Sequence, residues 1–326
     1  MKKDYRFYKS TLSLAEQQVY GTVCDGITLA RQQIFLGDVP VAHLSDIVQA
    51  VIQDNVLLYN VDGFSYRYRG RDRDVQLFPT YVHGISEYMA TDGRLKHAAN
   101  KLAQESQRGN DYATVLALHD ALCRMIIYKK TGFFAHNIVG SLLHREAVCD
   151  GISKAFKLCC DYLGIACIVV FGNARPSYES REFEKHAWNK VRIDYKWYNV
   201  DVTFDLGISE SDFVRHDYFL VADNEISQSH RPEDRTFPCA QPSNYHMRNM
   251  LLMRNLRDFE DLIVNRCSTG RNLRCEVKFA MINPAEMHNK VMQTVQAAMD
   301  RLTRGCHVSF SVNPEMLTVF ISVTFN

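Results

Sequence analysis

Ala147-Val148-Cys149-Asp150-Gly151-Ile152-Ser153-Lys154-Ala155-Phe156 and, further along, His186-Ala187-Trp188-Asn189-Lys190-Val191-Arg192-Ile193-Asp194-Tyr195-Lys196-Trp197-Tyr198-Asn199-Val200-Asp201 are the stretches on which the fold of this chain turns. From Asp150 onward, Ile152, Ala155, Phe156, Cys159 and Leu163 recur at helical spacing, and Gly164 suits a left-handed helix end. Cys149 therefore stands at a helix N-terminus, where unpaired N–H groups and the positive dipole end favour a thiolate and make the sulfur a nucleophile. The second stretch alternates on either side of Asp194-Tyr195 and predicts a hairpin, with the run continuing as a strand through Val202-Thr203-Phe204-Asp205. With Asp194 and Tyr195 at the turn, Ile193 faces Lys196 and His186 faces Thr203. Asp201 then lies diagonal to His186 on the same sheet face, at a Cα separation of about 7–8 Å. The turn lacks the usual glycine, and a one-residue slip would send the two side chains to opposite faces. In the stated register, Cys149, His186 and Asp201 read as nucleophile, base and orienting acid.

Val148-Cys149-x-Gly151, His186-Ala187-Trp188-Asn189 and Trp197-Tyr198-x-Val200-Asp201 stand in order, their key residues 37 and 15 positions apart. This string resembles the transglutaminase-like superfamily, whose bacterial members carry the same three blocks. The resemblance runs from about His119 to Asp205 and continues in Tyr218-Phe219-Leu220-Val221-Ala222-Asp223; residues 250–326 resemble nothing identified. It implies an α+β fold with a papain-like core, in which a cysteine-bearing helix packs on an antiparallel sheet whose strands carry the histidine and aspartate. The three roles pass to Cys149, His186 and Asp201. Val202 stands where many relatives have proline, a departure that does not touch the chemistry. The Cys149 N–H and the Asn137 side chain are the candidate oxyanion donors, although Asn137 reads equally well as a loop cap. Trp188, on the same face as His186, either screens the histidine and aspartate from water or is a core tryptophan. The implied chemistry is cysteine-dependent acyl transfer on peptide or carboxamide bonds through a thioester, with no cofactor and no metal. Hydrolysis by a protease, peptidase or amidase ranks first, because nothing points to an amine-binding tunnel or calcium loops. A crosslinking transglutaminase and a catalytically silent binding scaffold are the alternatives.

Outward from these blocks, 326 residues leave room for more than one domain. The expected division is an N-terminal helical region with a β-hairpin at 1–110, the catalytic core at 111–249 and a small α+β module at 250–326. Hydrophobic residues at 46% and charged residues at 23%, with 16 glycines and 8 prolines, exclude a fibrous or disordered chain. A net charge of +1 gives no footprint for nucleic acid. The longest apolar run, Ile165-Ala166-Cys167-Ile168-Val169-Val170-Phe171, is far short of the roughly 20 residues of a membrane span. Lys2 and Lys3 are followed by no apolar segment of signal-peptide length. Ten cysteines without a C-x-x-C pair match neither a disulfide framework nor a zinc site. A cytoplasmic location is therefore expected, with export of a trimmed form left open. The expected partner is a protein or peptide substrate, not nucleic acid or membrane, with the C-terminal module as a further place for a protein partner.

Residues 11 to about 60 read as helices, beginning with a capping box at Ser13 and Glu16. Residues 64–69 and 75–81 read as a hairpin around a basic turn, Arg67 to Arg73, with Pro79 placing the returning strand at an edge. Helices are expected at 84–106 and 111–129, the second carrying His119-Asp120, a dipeptide of metal-dependent phosphohydrolases that is read here as structural because further ligands are not found. A β-α-β-β pattern closes the chain, with the helix at 284–302 and the last two strands at 307–312 and 317–325.

Overall fold

Side chains that satisfy the first amides of a helix set most of the helix starts. In the computed structural model, which describes residues 5–70, 72–234, 236–240, 243–302 and 305–325, Ser13 and Glu16 form the expected capping box at the start of Leu14–Thr28. Lys2, Lys3 and Arg71, each used in the sequence reading, lie outside the described residues. Asn110 caps Asp111–Met125 by accepting from the Ala113 amide at 2.8 Å. The described chain forms two compact units, one of residues up to 170 with 187–196, the other of residues 171–186 with 197 onward.

The first unit is mostly helical, with a three-stranded sheet and a short parallel pair, Ile127–Tyr128 with Glu146–Ala147. Asp54, at the end of the helix Leu44–Asp54, accepts from the Tyr8 and Lys9 amides and the Tyr20 hydroxyl, and Tyr8 donates its hydroxyl to the Val169 carbonyl at 2.9 Å. These bonds fix the first helix, Phe7–Thr11, whose own N-cap residue makes no side-chain cap. The hairpin forms as Val61–Arg69 and Arg73–Tyr81, but two expectations are corrected here. Residues 34–37, read as part of a helical region, are the strand Ile34–Gly37, and that strand makes Arg73–Tyr81 central, not an edge. Pro79 is accommodated because the added strand pairs only with Val75, Gln76 and Leu77, so no ladder donor is required of residue 79 on that side.

The antiparallel sheet expected for the core is built from the strands Cys167–Ala174, Glu184–Ile193, Lys196–Val200, Phe219–Val221 and His230–Pro232. Asp194 and Tyr195 both adopt left-handed φ, 50° and 64°, as a two-residue hairpin turn requires. In the first unit, Arg192 donates its amide to Ala166. In the second, His230–Pro232 pairs antiparallel with Gly172–Ala174, and Asn199 and Val200 pair antiparallel with Val221 and Phe219 around a bulge. The strand order is His230–Pro232, Cys167–Ala174, Glu184–Ile193, Lys196–Val200, Phe219–Val221.

The C-terminal part of the second unit follows the expected β-α-β-β pattern as Leu273–Phe279, Pro284–Asp300, Cys306–Asn313 and Thr318–Phe325. The last strand lies between the other two and is antiparallel to both. A helix absent from the sequence reading, Leu256–Cys267, starts where Asn255 accepts from the Asp258 amide, and buries Phe259 and Ile263 against Val277, Phe279, Val291 and Ile321. Each fully buried side chain of this size contributes about 1.5–3 kcal/mol. Among the described residues no helix is long and apolar enough to cross a membrane.

Candidate active site

The cysteine block folds as read. Cys149 is the first residue of the helix Cys149–Leu163, which ends on Gly164 at φ 75°, and it is half-buried. Its N-cap, Val148, has no side chain able to cap, so the amides of the first turn are answered only in part, the Gly151 amide by Asp150 Oδ1 at 3.0 Å. The helix buries Ile152, Ala155, Phe156, Leu158, Cys159 and Cys160.

A loop holds this first turn. The Val148 amide donates to the Ala135 carbonyl at 3.0 Å, and His136 Nδ1 lies 3.2 Å from Asp150 Oδ1. Lys154 donates to the His136 carbonyl. Gly151 permits the approach, since a Cβ at that position would fall 2.7 Å from the Ala135 carbonyl oxygen and 3.0 Å from that of Asn137. The glycine of the cysteine motif is thus a packing requirement. Asn137 Oδ1 accepts from the Val139 amide at 2.9 Å, the loop-cap role, which leaves its NH2 group as the donor end.

The helix is pinned to the strand Glu184–Ile193 by two residues of the blocks. Ser153 Oγ donates to the Ala187 carbonyl at 2.9 Å, and Asn189 Nδ2 donates to the carbonyls of Ser153 and Ile168 at 3.0 and 3.2 Å. Trp188, between them, is 1% exposed and belongs to the core of the first unit.

His186 and Asp201, both in the second unit, meet, although Thr203, expected opposite His186, is helical. His186 Nε2 lies 2.6 Å from Asp201 Oδ2, with the two side chains 8% and 1% exposed. The strand does not continue past this point, however, which corrects the reading of 202–205. Asp201 Oδ1 accepts from the Thr203 and Phe204 amides at 2.9 and 3.0 Å and starts the helix Val202–Ile208. One carboxylate therefore orients the imidazole with one oxygen and caps a helix with the other. Burial pushes this carboxyl up, but the charge and hydrogen bonds of His186 and His230 outweigh it and hold Asp201 below the usual carboxylate range.

His230 is the residue that sequence reasoning missed. Its Nε2 lies 2.9 Å from the same Asp201 Oδ2, and its side chain is fully buried. Nothing around Ser229-His230-Arg231-Pro232 marks it, since it is a lone histidine outside the recognised blocks. Phe204 packs on both rings, its centroid 4.8 Å from that of His186 and 4.6 Å from that of His230. His119 and Asp120, read as structural, lie in the first unit with His119 Nδ1 3.2 Å from Asp120 Oδ1.

A family model for the transglutaminase-like superfamily matches residues 99–202, which contain Cys149, His186 and Asp201. This stretch is a transglutaminase-like domain. Two curated relatives are the kyphoscoliosis peptidases of Mus musculus and Homo sapiens. The mouse protein is 25% identical over 210 residues, covering 59% of this chain and 30% of its own length. The human protein is 26% identical over 186 residues, covering 52% and 28%. The chain thus spans less than a third of the length of these relatives. A solved structure described as a TGase is similar at 14% identity and a TM-score of 0.31, over 44% of each chain.

Proposed function

We propose that this chain catalyses cysteine-dependent acyl transfer on peptide or carboxamide bonds, with water as the usual acceptor. The observation that carries the reading is the buried His186–Asp201 hydrogen bond of 2.6 Å, made by the motif residues assigned to base and orienter. Asp201 takes Nε2, so the proton on that atom is fixed and Nδ1 is the nitrogen that exchanges a proton with the Cys149 thiol. The thiolate attacks the carbonyl carbon, and the C–N bond breaks as His186 passes its proton to the departing amine. Water then attacks the thioester, giving up a proton to His186 and releasing the acid, and the sulfur leaves as thiolate. The Cys149 amide at the uncapped helix start and the Asn137 NH2 group are the proposed donors to the oxyanion. Both curated relatives bear the name peptidase, which favours water over an amine as acceptor.

The test is the pH dependence of Cys149 alkylation by iodoacetamide, followed by peptide mass spectrometry beside the other nine cysteines and repeated in His186→Ala. Burial raises the thiols of Cys159, Cys160 and Cys275, the last to about 12, so these compete poorly. Cys149 is expected to react faster than the rest well below about pH 8.5 and to lose that advantage in the variant. Ordinary reactivity at Cys149 would overturn the catalytic reading in favour of a silent scaffold.

A further inference from the structure

A base and its orienter need one carboxylate and one imidazole, yet Asp201 serves two imidazoles. Oδ2 lies 2.6 Å from His186 Nε2 and 2.9 Å from His230 Nε2, while Oδ1 is occupied by the amides of Thr203 and Phe204. The N···O separations are those of hydrogen bonds. A metal held at about 2.0–2.2 Å by each group would spread the ligand atoms beyond 3 Å, so the cluster is not arranged around an ion.

The proton on His230 can be placed. An ionised Oδ2 requires N–H at Nε2, while Nδ1 lies 2.8 Å from Ser229 Oγ, whose hydroxyl donates to the Ile226 carbonyl at 3.4 Å. Burial disfavours a second proton on this ring, as does the charge of His186. The hydrogen bond and charge of Asp201, and to a smaller extent the Ile226 carbonyl, pull the other way, and the balance stays below an ordinary histidine. Tyr218 has its ring 5.7 Å from that of His230, and its hydroxyl lies 3.3 Å from Glu315. Burial raises Tyr218 well above the usual phenol range, so it stays neutral. Near neutral pH, His230 is thus an uncharged N–H donor to the carboxylate on which His186 relies.

We propose that His230 is a positioning residue: it clamps the Asp201 carboxylate and takes a share of its acceptor strength, so that Asp201 stabilises the His186 imidazolium less than an unshared carboxylate would. The proposal rests on His186 being the base and Asp201 its orienter. Its consequence is specific, because removing the second donor leaves the full acceptor strength of Oδ2 to His186. The His186 imidazolium should then become harder, not easier, to deprotonate.

The decisive measurement is the NMR titration of the histidine ring Cε1–H signals in the full chain, with His186 assigned by its loss in His186→Gln. In His230→Leu the His186 midpoint should rise by about half a pH unit or more, at least a threefold gain in proton affinity. His230→Gln, which keeps an N–H donor at similar reach, should restore the wild-type midpoint. Should His230→Leu fail to fold, His230→Asn serves, since its shorter amide keeps a partner for Ser229 but stops short of Asp201, and it should show the same rise. An unchanged His186 midpoint in the folded variants that lack the donor, or an equal shift in His230→Gln, would overturn the proposal. The titration does not depend on activity. If wild-type Cys149 proved unreactive, the catalytic reading would fall, while the effect of His230 on His186 would still be decided.

Discussion

A carboxylate removed from water stays ionised only if its donors replace the lost hydration, and Asp201 has four of them. The consequence for Asp201→Asn follows atom by atom. The amide oxygen can keep the cap on Thr203 and Phe204, but the NH2 group then points at two N–H donors. Both histidines must move their protons to Nδ1 or turn away, and His186 loses the tautomer that leaves Nδ1 able to accept. The variant is expected to fold, to lose about 1–3 kcal/mol of stability from mismatched buried groups, and to lose turnover by a factor on the order of 10^4, as in the analogous serine protease change. Denaturant titration checks the first figure. For the second, the rate of Cys149 alkylation near pH 6 should fall to that of an ordinary thiol, and a wild-type rate would remove Asp201 from the chemistry.

The cysteine helix depends on how closely a neighbouring loop can approach it, which makes Gly151 the sensitive point. Adding a methyl group there drives it into two backbone carbonyls, which cannot rotate aside as a side chain can. Gly151→Ala should therefore shift the 135–137 loop, slow Cys149 alkylation and destabilise the protein by about 1–3 kcal/mol. The control is Gly21→Ala inside Leu14–Thr28, where a Cβ meets nothing within 4 Å and the substitution should be neutral or stabilising by up to about 1 kcal/mol. Equal thermal melts for the two variants would refute the packing argument. At this scale much of the fold was legible. Apolar spacing located the cysteine helix, and strict alternation located the hairpin even though its turn is Asp194-Tyr195 without glycine. What escaped was decided by competition between local bonds. Val200, Val202 and Phe204 keep the alternation of a strand, but the Asp201 side chain offers the next amides a closer acceptor than a sheet partner, and the chain turns into a helix. Ile34–Gly37 is too short to carry a periodicity of its own, and its strand character comes from pairing with residues 75–77. His230 reaches Asp201 across 29 residues through a pairing with Ala174 that no local pattern encodes.

Across the whole molecule, the buried carboxyls Asp201 and Glu276 of one unit and Asp54 of the other should respond to acid in opposite directions. In the second unit, burial pushes Asp201 and Glu276 up, but His186 and His230 for the first, and His216 and His246 for the second, hold both carboxyls below their ordinary values. A depressed carboxyl stabilises the folded form above its unfolded pKa, about 3.9 for Asp and 4.3 for Glu. That stability is lost as the pH falls through that value toward the folded one, because the unfolded chain then binds more protons. In the first unit, Asp54 behaves in reverse, since burial raises its carboxyl against the hydrogen bonds of Lys9, Tyr8 and Tyr20. It takes up its proton earlier in the folded state than in the unfolded one, so acidification relieves a penalty that is fully present near neutrality. Each unit of pKa displacement corresponds to about 1.4 kcal/mol, enough to move a denaturation midpoint visibly. The chain's 2 tryptophans divide between the units, Trp188 in the first and Trp197, stacked on Phe237 at 4.3 Å, in the second. Urea titrations of Trp197→Phe and Trp188→Phe therefore report the units separately by fluorescence. Between pH 6 and pH 3 the midpoint read from Trp197 should fall more steeply than that read from Trp188. In Glu276→Gln, where one titrating carboxylate is gone, the fall at Trp197 should flatten. If the two midpoints decline together and Glu276→Gln changes nothing, the buried carboxylates do not govern the acid limit of this fold.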